Sequence, residues 1–134
     1  MMTPMIIKYN ETKLFQKDLK KLLKKYRTLE EDLETAKRNA IELYHVRHID
    51  NQSIVPIQGF SMTSGQVFKI KKFACKALRG RGAKSGIRII YAFYAKDCRV
   101  DFIEIYFKGE KANEDRERIK AYLKDFSSSL NNVR

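Results

Sequence analysis

The chain has 134 residues, enough for one domain with a modest core and too few for two independent ones. Its 28 Lys and Arg against 16 Asp and Glu leave a charge of +12 with histidine neutral, which favours an anionic partner: nucleic acid, an acidic protein or a membrane surface. No apolar run approaches the roughly 18 residues of a membrane span, and Met1-Met2-Thr3-Pro4 lacks the basic-then-apolar pattern of a signal peptide, so a cytoplasmic protein with no membrane partner is expected.

In chain order, residues 5–9 form a short apolar run that reads as a first strand. Phe15, Leu19, Leu22, Leu23 and Tyr26 then recur at spacings of three and four, with lysines between them, which predicts an amphipathic helix. Thr28 and Glu31 have capping-box spacing and open a second helix, whose stripe is Leu29, Leu33, Ala36, Ala40, Ile41 and Tyr44. The two helices, joined near Arg27, make a hairpin that needs an apolar surface to lie on. Residues 46–66 carry Pro56, Gly59 and Gly65 without a clear period. They read as an ordered insertion, with 54–57 either an added strand or a packed loop.

After Gly65 the period becomes two. Residues 67–73, 87–95 and 100–108 read as three strands, the last two an antiparallel hairpin turning at Lys96-Asp97. Phe68, Ile70, Ile87, Ile89, Tyr91, Phe93, Ile103, Ile105 and Phe107 supply the apolar face on which the helix hairpin would pack. A last helix starts near Asn113, with Ile119, Tyr122, Leu123 and Phe126 as its stripe and Ser127-Ser128-Ser129 as its end. The expected fold class is therefore α+β, two layers in the order β-α-α-β-β-β-α, within a single domain spanning residues 1–134. Its mostly antiparallel sheet is covered on one face by the helix hairpin.

The other sheet face collects Lys69 and Lys71 from one strand, Arg88 from the next, and Glu104, Tyr106 and Lys108 from the third. Strands lie about 4.8 Å apart, so these side chains can converge on one groove suited to RNA binding and to metal-free RNA cleavage. Cleavage needs a base for the ribose 2′-hydroxyl, a cation for the phosphoryl group and a proton for the 5′-oxygen. A lysine crowded by other cations can act as the base, and arginine can hold the phosphate in a fork. Lys72, Arg79, Arg81, Lys84 and Lys111 flank this face and are expected to contact further RNA phosphates, although Gly80-Arg81-Gly82 and Lys84 fit a solvated turn equally well. The same alternation also describes an ordinary solvent-facing sheet. His45 and His48 lack carboxylate or thiol companions at ligand spacing, Cys75 and Cys98 read as buried free thiols, and no metal or cofactor is expected. The lysines at 17, 20, 21, 24 and 25 form a wet helix face that could widen an RNA footprint.

The runs Phe68-Lys69-Ile70-Lys71, Gly86-Ile87-Arg88-Ile89-Ile90-Tyr91, Ile103-Glu104-Ile105-Tyr106-Phe107-Lys108 and Glu114-Asp115 resemble the RelE/ParE superfamily of bacterial toxins. The resemblance implies a toxin neutralised by a cognate antitoxin. In the RelE branch it also implies cleavage of mRNA, within the ribosome and without metal, leaving a 2′,3′-cyclic phosphate and a 5′-hydroxyl. By position, Lys69 and Lys71 match the family's paired basic residues, Arg88 its Gly-x-Arg arginine, and Lys108 the basic residue closing the last strand. RelE-type enzymes commonly carry a catalytic tyrosine just after that strand, and residues 110–118 contain none; Tyr106 or Glu104 would take its place. Two alternatives follow from the same residues: a ParE-like inhibitor of DNA gyrase acting by protein–protein binding, and a non-catalytic nucleic-acid-binding protein.

Overall fold

The computed structural model describes residues 6–60, 62, 64–78, 80, 82 and 84–132, without the side chains of 126–132. The elements run β1 (Lys8–Glu11), α1 (Lys13–Leu23), α2 (Leu29–Ala36), a π-helical stretch (Lys37–Glu42), α3 (Leu43–His45), β2 (Ile54–Pro56), β3 (Gln66–Ile70), β4 (Ile87–Tyr94), β5 (Arg99–Phe107) and α4 (Arg116–Asn132). The sheet order is β1-β5-β4-β3-β2. β1 runs parallel to β5, and every other pairing is antiparallel. The α+β architecture read from the sequence is the one found, with β2 added at the sheet edge from the insertion.

Local chemistry sets the element ends. The Thr12 hydroxyl accepts from the Phe15 amide at 3.2 Å and caps α1. Thr28 precedes α2 as expected, but no capping box forms. Its hydroxyl instead donates to Asp32 Oδ2 at 2.7 Å and accepts from the Ala77 amide at 2.9 Å, which ties the helix start to the loop after β3. Glu31, the other half of the expected box, pairs with Lys76. α4 does not stop at the serine triplet but continues to Asn132.

One core cluster lies between the helix hairpin and the sheet. Phe15, Leu19, Leu29, Leu33 and Ile41 pack there on Phe68, Ile70, Ile87, Ile89, Tyr91 and Phe102. Each such side chain, fully removed from water, stabilises the fold by about 1.5–3 kcal/mol. A second, smaller cluster lies on the opposite face, where Val67, Ile90, Ala92, Tyr94, Ile103 and Tyr106 meet Ile57 and, from α4, Ile119. Part of the face expected to stay open is therefore covered.

A bulge in β5 makes this possible. Ile90 lies opposite Glu104 and Tyr91 opposite Phe102, so Ile103 has no partner on β4. The extra residue turns Ile103 to the α4 side, whereas Val100, Phe102 and Ile105 remain under the helix hairpin. This corrects the expectation that Ile103 shares a face with Ile105 and Phe107. The β5 edge beyond the reach of β1 is satisfied by side chains. Asp18 accepts from the Ile105 amide at 3.3 Å and pairs with Arg118, which donates to the Ile103 carbonyl at 3.1 Å. These contacts tie α1, β5 and α4 together at the bulge.

Candidate nucleic-acid interface

The connection from β3 to β4 folds back on the sheet because two buried residues pin it. The Lys71 amide donates to the Ser53 carbonyl at 2.8 Å where β3 ends. Phe73, fully buried, bridges to Lys84, and the buried Ser85 hydroxyl donates to the Phe73 carbonyl while accepting from the Ile87 amide at 3.1 Å. Gly86 then enters β4 at φ +86°, and a Cβ there would stand 2.9 Å from the Phe107 ring. Its carbonyl accepts from the Lys108 amide at 2.8 Å, which brings the end of β5 beside the start of β4.

These constraints gather Lys71, Lys72, Lys84, Arg88 and Lys108 around Gly86 on a cavity of about 440 Å³. Among the described residues, no carboxylate lines it. Among the described residues, none of the five cations forms an ion pair. Arg88 is oriented by donation from Nη1 to the Lys71 carbonyl, and its remaining N–H groups can still meet an anion. Lys71, Lys72, Lys84 and Lys108 are exposed and Arg88 is half-buried. Five cations on one open cavity make a strong local attraction for phosphate.

The other predicted site residues form a neighbouring network instead of lining the cavity. Lys69 Nζ lies 2.8 Å from Glu114 Oε1. Burial by itself would raise the Glu114 carboxyl, but the hydrogen bonds from Lys69 and from Glu114's own amide, together with the charges of Lys69 and Arg116, hold it below its usual range. Glu104, 1 % exposed, pairs with Lys111 and accepts from the Asp115 amide at 2.8 Å. Both of its oxygens are thus engaged in holding the loop before α4. Lys111 Nζ also lies 5.6 Å from the centre of the Tyr106 ring.

Tyr106 stands opposite Arg88 in the β4–β5 register but is 6 % exposed. Burial, then the Glu114 and Glu104 charges, push its phenol up to about 12 despite the opposing charge of Arg88. At neutral pH it is a protonated phenol and not a base. The expectation of one groove shared by all six strand residues therefore resolves into two adjacent sets: a free cationic cavity and a neutralised, largely buried network. Arg79 and Arg81 lie outside the described residues.

Sequence reasoning did not assign Glu114 as the partner of Lys69, nor Gly86 and Ser85 as the parts that shape the cavity. Glu114-Asp115 entered the sequence reading among the runs that carry the superfamily resemblance, and Gly86 as the glycine before Ile87-Arg88. Among the described residues no three His, Cys, Asp or Glu side chains gather as metal ligands, and no helix is long and apolar enough to cross a membrane.

No protein-family model matches the chain, and no curated protein matches it by sequence. Among solved structures, the chain is similar to one described as the crystal structure of the archaeal RelE-RelB complex from Pyrococcus horikoshii OT3. The identity is 15 % and the TM-score 0.45, over 77 % of this chain and 96 % of that one.

Proposed function

We propose that this protein is a toxin-like RNA endonuclease that seats a phosphate of an mRNA strand in the basic cavity and cleaves the strand by internal transphosphorylation. One observation carries the reading: five cations border a single cavity that no carboxylate lines among the described residues. In this reading the ribose 2′-oxygen attacks phosphorus while a neutral lysine amine takes its proton. The bond from phosphorus to the 5′-oxygen breaks, and a second lysine, as ammonium, gives that oxygen a proton. Arg88 keeps its charge throughout and binds the non-bridging oxygens, where charge grows in the transition state. The products are a 2′,3′-cyclic phosphate and a 5′-hydroxyl. The strand motifs that resemble the RelE/ParE superfamily support mRNA held in the ribosome as the substrate. They also support a cognate antitoxin, whose acidic side chains would lie across the same cations.

A second reading, RNA binding without cleavage, is favoured by a separate observation: Glu104 is held by Lys111 and the Asp115 amide, Tyr106 does not line the cavity, and among the described residues lysine is the only base there. One experiment separates the two. The protein is incubated with a defined mRNA, free and on translating ribosomes, and the new ends are mapped and typed chemically. Cyclic-phosphate and 5′-hydroxyl ends that vanish with Lys71→Ala and with Arg88→Ala are the expected result. Retained binding with no new ends would replace the nuclease reading by the binding one. Cleavage that survives both substitutions would sink the assignment of this cavity.

A further inference from the structure

A second cavity lies on the other face of the sheet, at the opposite end of β3 and β4. It measures about 630 Å³ and is lined by Tyr44, His45, Phe68 and Phe93, with His48, Asp50, Ser64 and Gln66 among the residues at its rim. Nothing in the proposed RNA chemistry uses it. Its walls are largely aromatic: the His45 ring stacks on Phe93 with centroids 4.0 Å apart, and Tyr44 meets both His45 and Phe68 edge-on.

The backbone is built around it in an unusual way. The π-helical stretch Lys37–Glu42 immediately precedes the cavity wall, and such turns recur at functional sites. The residues that follow, Tyr44 and His45, both reach Phe68. His48, on the rim, has φ +56°, a conformation that a non-glycine residue holds only where its surroundings enforce it. Here the Ile49 amide fixes that turn by donating to the Leu43 carbonyl at 2.9 Å.

The chemistry of the lining restricts the ligand. Aromatic walls suit the faces of a flat ring, and a rim of carboxylate, carboxamide, hydroxyl and imidazole supplies donors and acceptors for its edge. The volume falls in the range of small-ligand sites. In a chain of net charge +12, no lysine or arginine among the described residues lines this cavity, so it lacks the cations that mark the basic one. Asp50 Oδ1 accepts from the Gln52 amide at 2.8 Å, and its carboxylate retains lone pairs for a ligand N–H. The geometry points to a second binding site that takes an uncharged nucleobase, stacked in the aromatic cavity with its polar edge toward Asp50 and Gln66. The base can belong to a free nucleoside or to an RNA strand.

The test is amide-resolved NMR on the full chain, titrated separately with the four ribonucleosides, with their 5′-monophosphates, with a short single-stranded RNA and with tetramethylammonium. The expected result is that at least one nucleoside shifts the amides of His48, Ser64 and Gln66. Its monophosphate should bind there with affinity within about twofold, since among the described residues no lysine or arginine lines the cavity to read the phosphate. Asp50→Ala should weaken that binding about tenfold, the loss of one hydrogen bond to a charged group, while the salt dependence of RNA binding at the basic cavity stays as it was. Shifts at these amides from RNA alone support the same site and identify the strand as the source of the base. A monophosphate preference above about tenfold, a response to tetramethylammonium without one to nucleosides, or no response at these amides would each overturn the inference.

Discussion

Salt dependence offers a direct count of the cations that meet RNA. Each phosphate neutralised on a single strand contributes about −0.7 to the slope of log K against log salt. If Lys71, Lys72, Lys84, Arg88 and Lys108 each take one phosphate, the slope is about −3.5, and affinity falls roughly 130-fold between about 50 and 200 mM salt. Arg88→Gln should bring the slope to about −2.8 and the loss to roughly 50-fold. Lys71, Lys84 and Arg88 replaced together by Gln should leave about −1.4, a loss of roughly sevenfold over the same interval. Lys69 gives the internal comparison: it is held 2.8 Å from Glu114, so Lys69→Gln should leave the slope near the wild-type value. Fluorescence anisotropy of a short labelled RNA across a salt series reads all four proteins. A triple variant that keeps the wild-type slope would refute the placement of RNA in this cavity. A Lys69→Gln slope as shallow as that of Arg88→Gln would refute the division between free and neutralised cations.

Two further predictions concern the parts that hold the basic cavity in shape, and a third concerns His45 in the aromatic cavity on the other face. Glu104→Ala should cost about 2 kcal/mol, because the Asp115 amide loses its acceptor and Lys111 its partner; urea denaturation reads the loss, and an unchanged midpoint would mean that the loop is held by other contacts. Gly86→Ala should cost about 2 kcal/mol or more, since a Cβ there meets the Phe107 ring at 2.9 Å and the backbone sits at φ +86°; a thermal midpoint equal to wild type would contradict the tight approach of β4 and β5. Burial, and then the His48 charge, lower the His45 imidazole from 6.5 to about 4. Because the folded state binds this proton more weakly than the unfolded state, stability is full above about pH 6.5 and falls as pH drops, by about 3 kcal/mol once pH reaches about 4. His45→Gln should flatten that acid limb by about one proton in urea midpoints taken across the interval, and an identical slope would reject the buried neutral histidine.

The helix hairpin and the central strands were legible because polar residues interrupt their apolar runs at the right period. Lys69 and Lys71 break the run of residues 67–73 on alternate positions, and Arg88 sets the phase of β4. β5 was read with one unbroken phase, although Phe102 and Ile103 stand side by side as two apolar residues where alternation allows one. That pair is the trace of the bulge, visible in the sequence but not specific to it. β2 had no comparable trace: three residues ending in Pro56 carry no period, and their pairing is imposed by β3. At the candidate site, strand phase located the cations, but their neutralisation was not legible. Whether Lys69 is free depends on where the loop of residues 108–115 folds back, and that is decided by the buried Glu104 taking the Asp115 amide.

The bulge also explains why one sheet face can serve two purposes. Past Ile103, toward the β4–β5 turn, this face is apolar at Ala92 and Tyr94 and takes Ile119 of α4. On the other side of the bulge, β5 presents Glu104 and Tyr106; Arg88 stands opposite Tyr106 and, with Lys108, rims the cavity. α4 is held at the boundary by Arg118, which meets Asp18 of α1 and the Ile103 carbonyl at the bulge itself. Burial would lower the Arg118 guanidinium, but the Asp18 hydrogen bond and the surrounding carboxylates raise it, so the clamp stays charged. The acidic groups near the interface are consumed on this side, Glu104 by Lys111 and the Asp115 amide, Glu114 by Lys69. Without those pairings, two carboxylates would stand beside the cavity and oppose a phosphate. The dry end of the sheet and the neutralised network thus leave the basic end as the place on this face where the charge excess of the chain faces water unopposed.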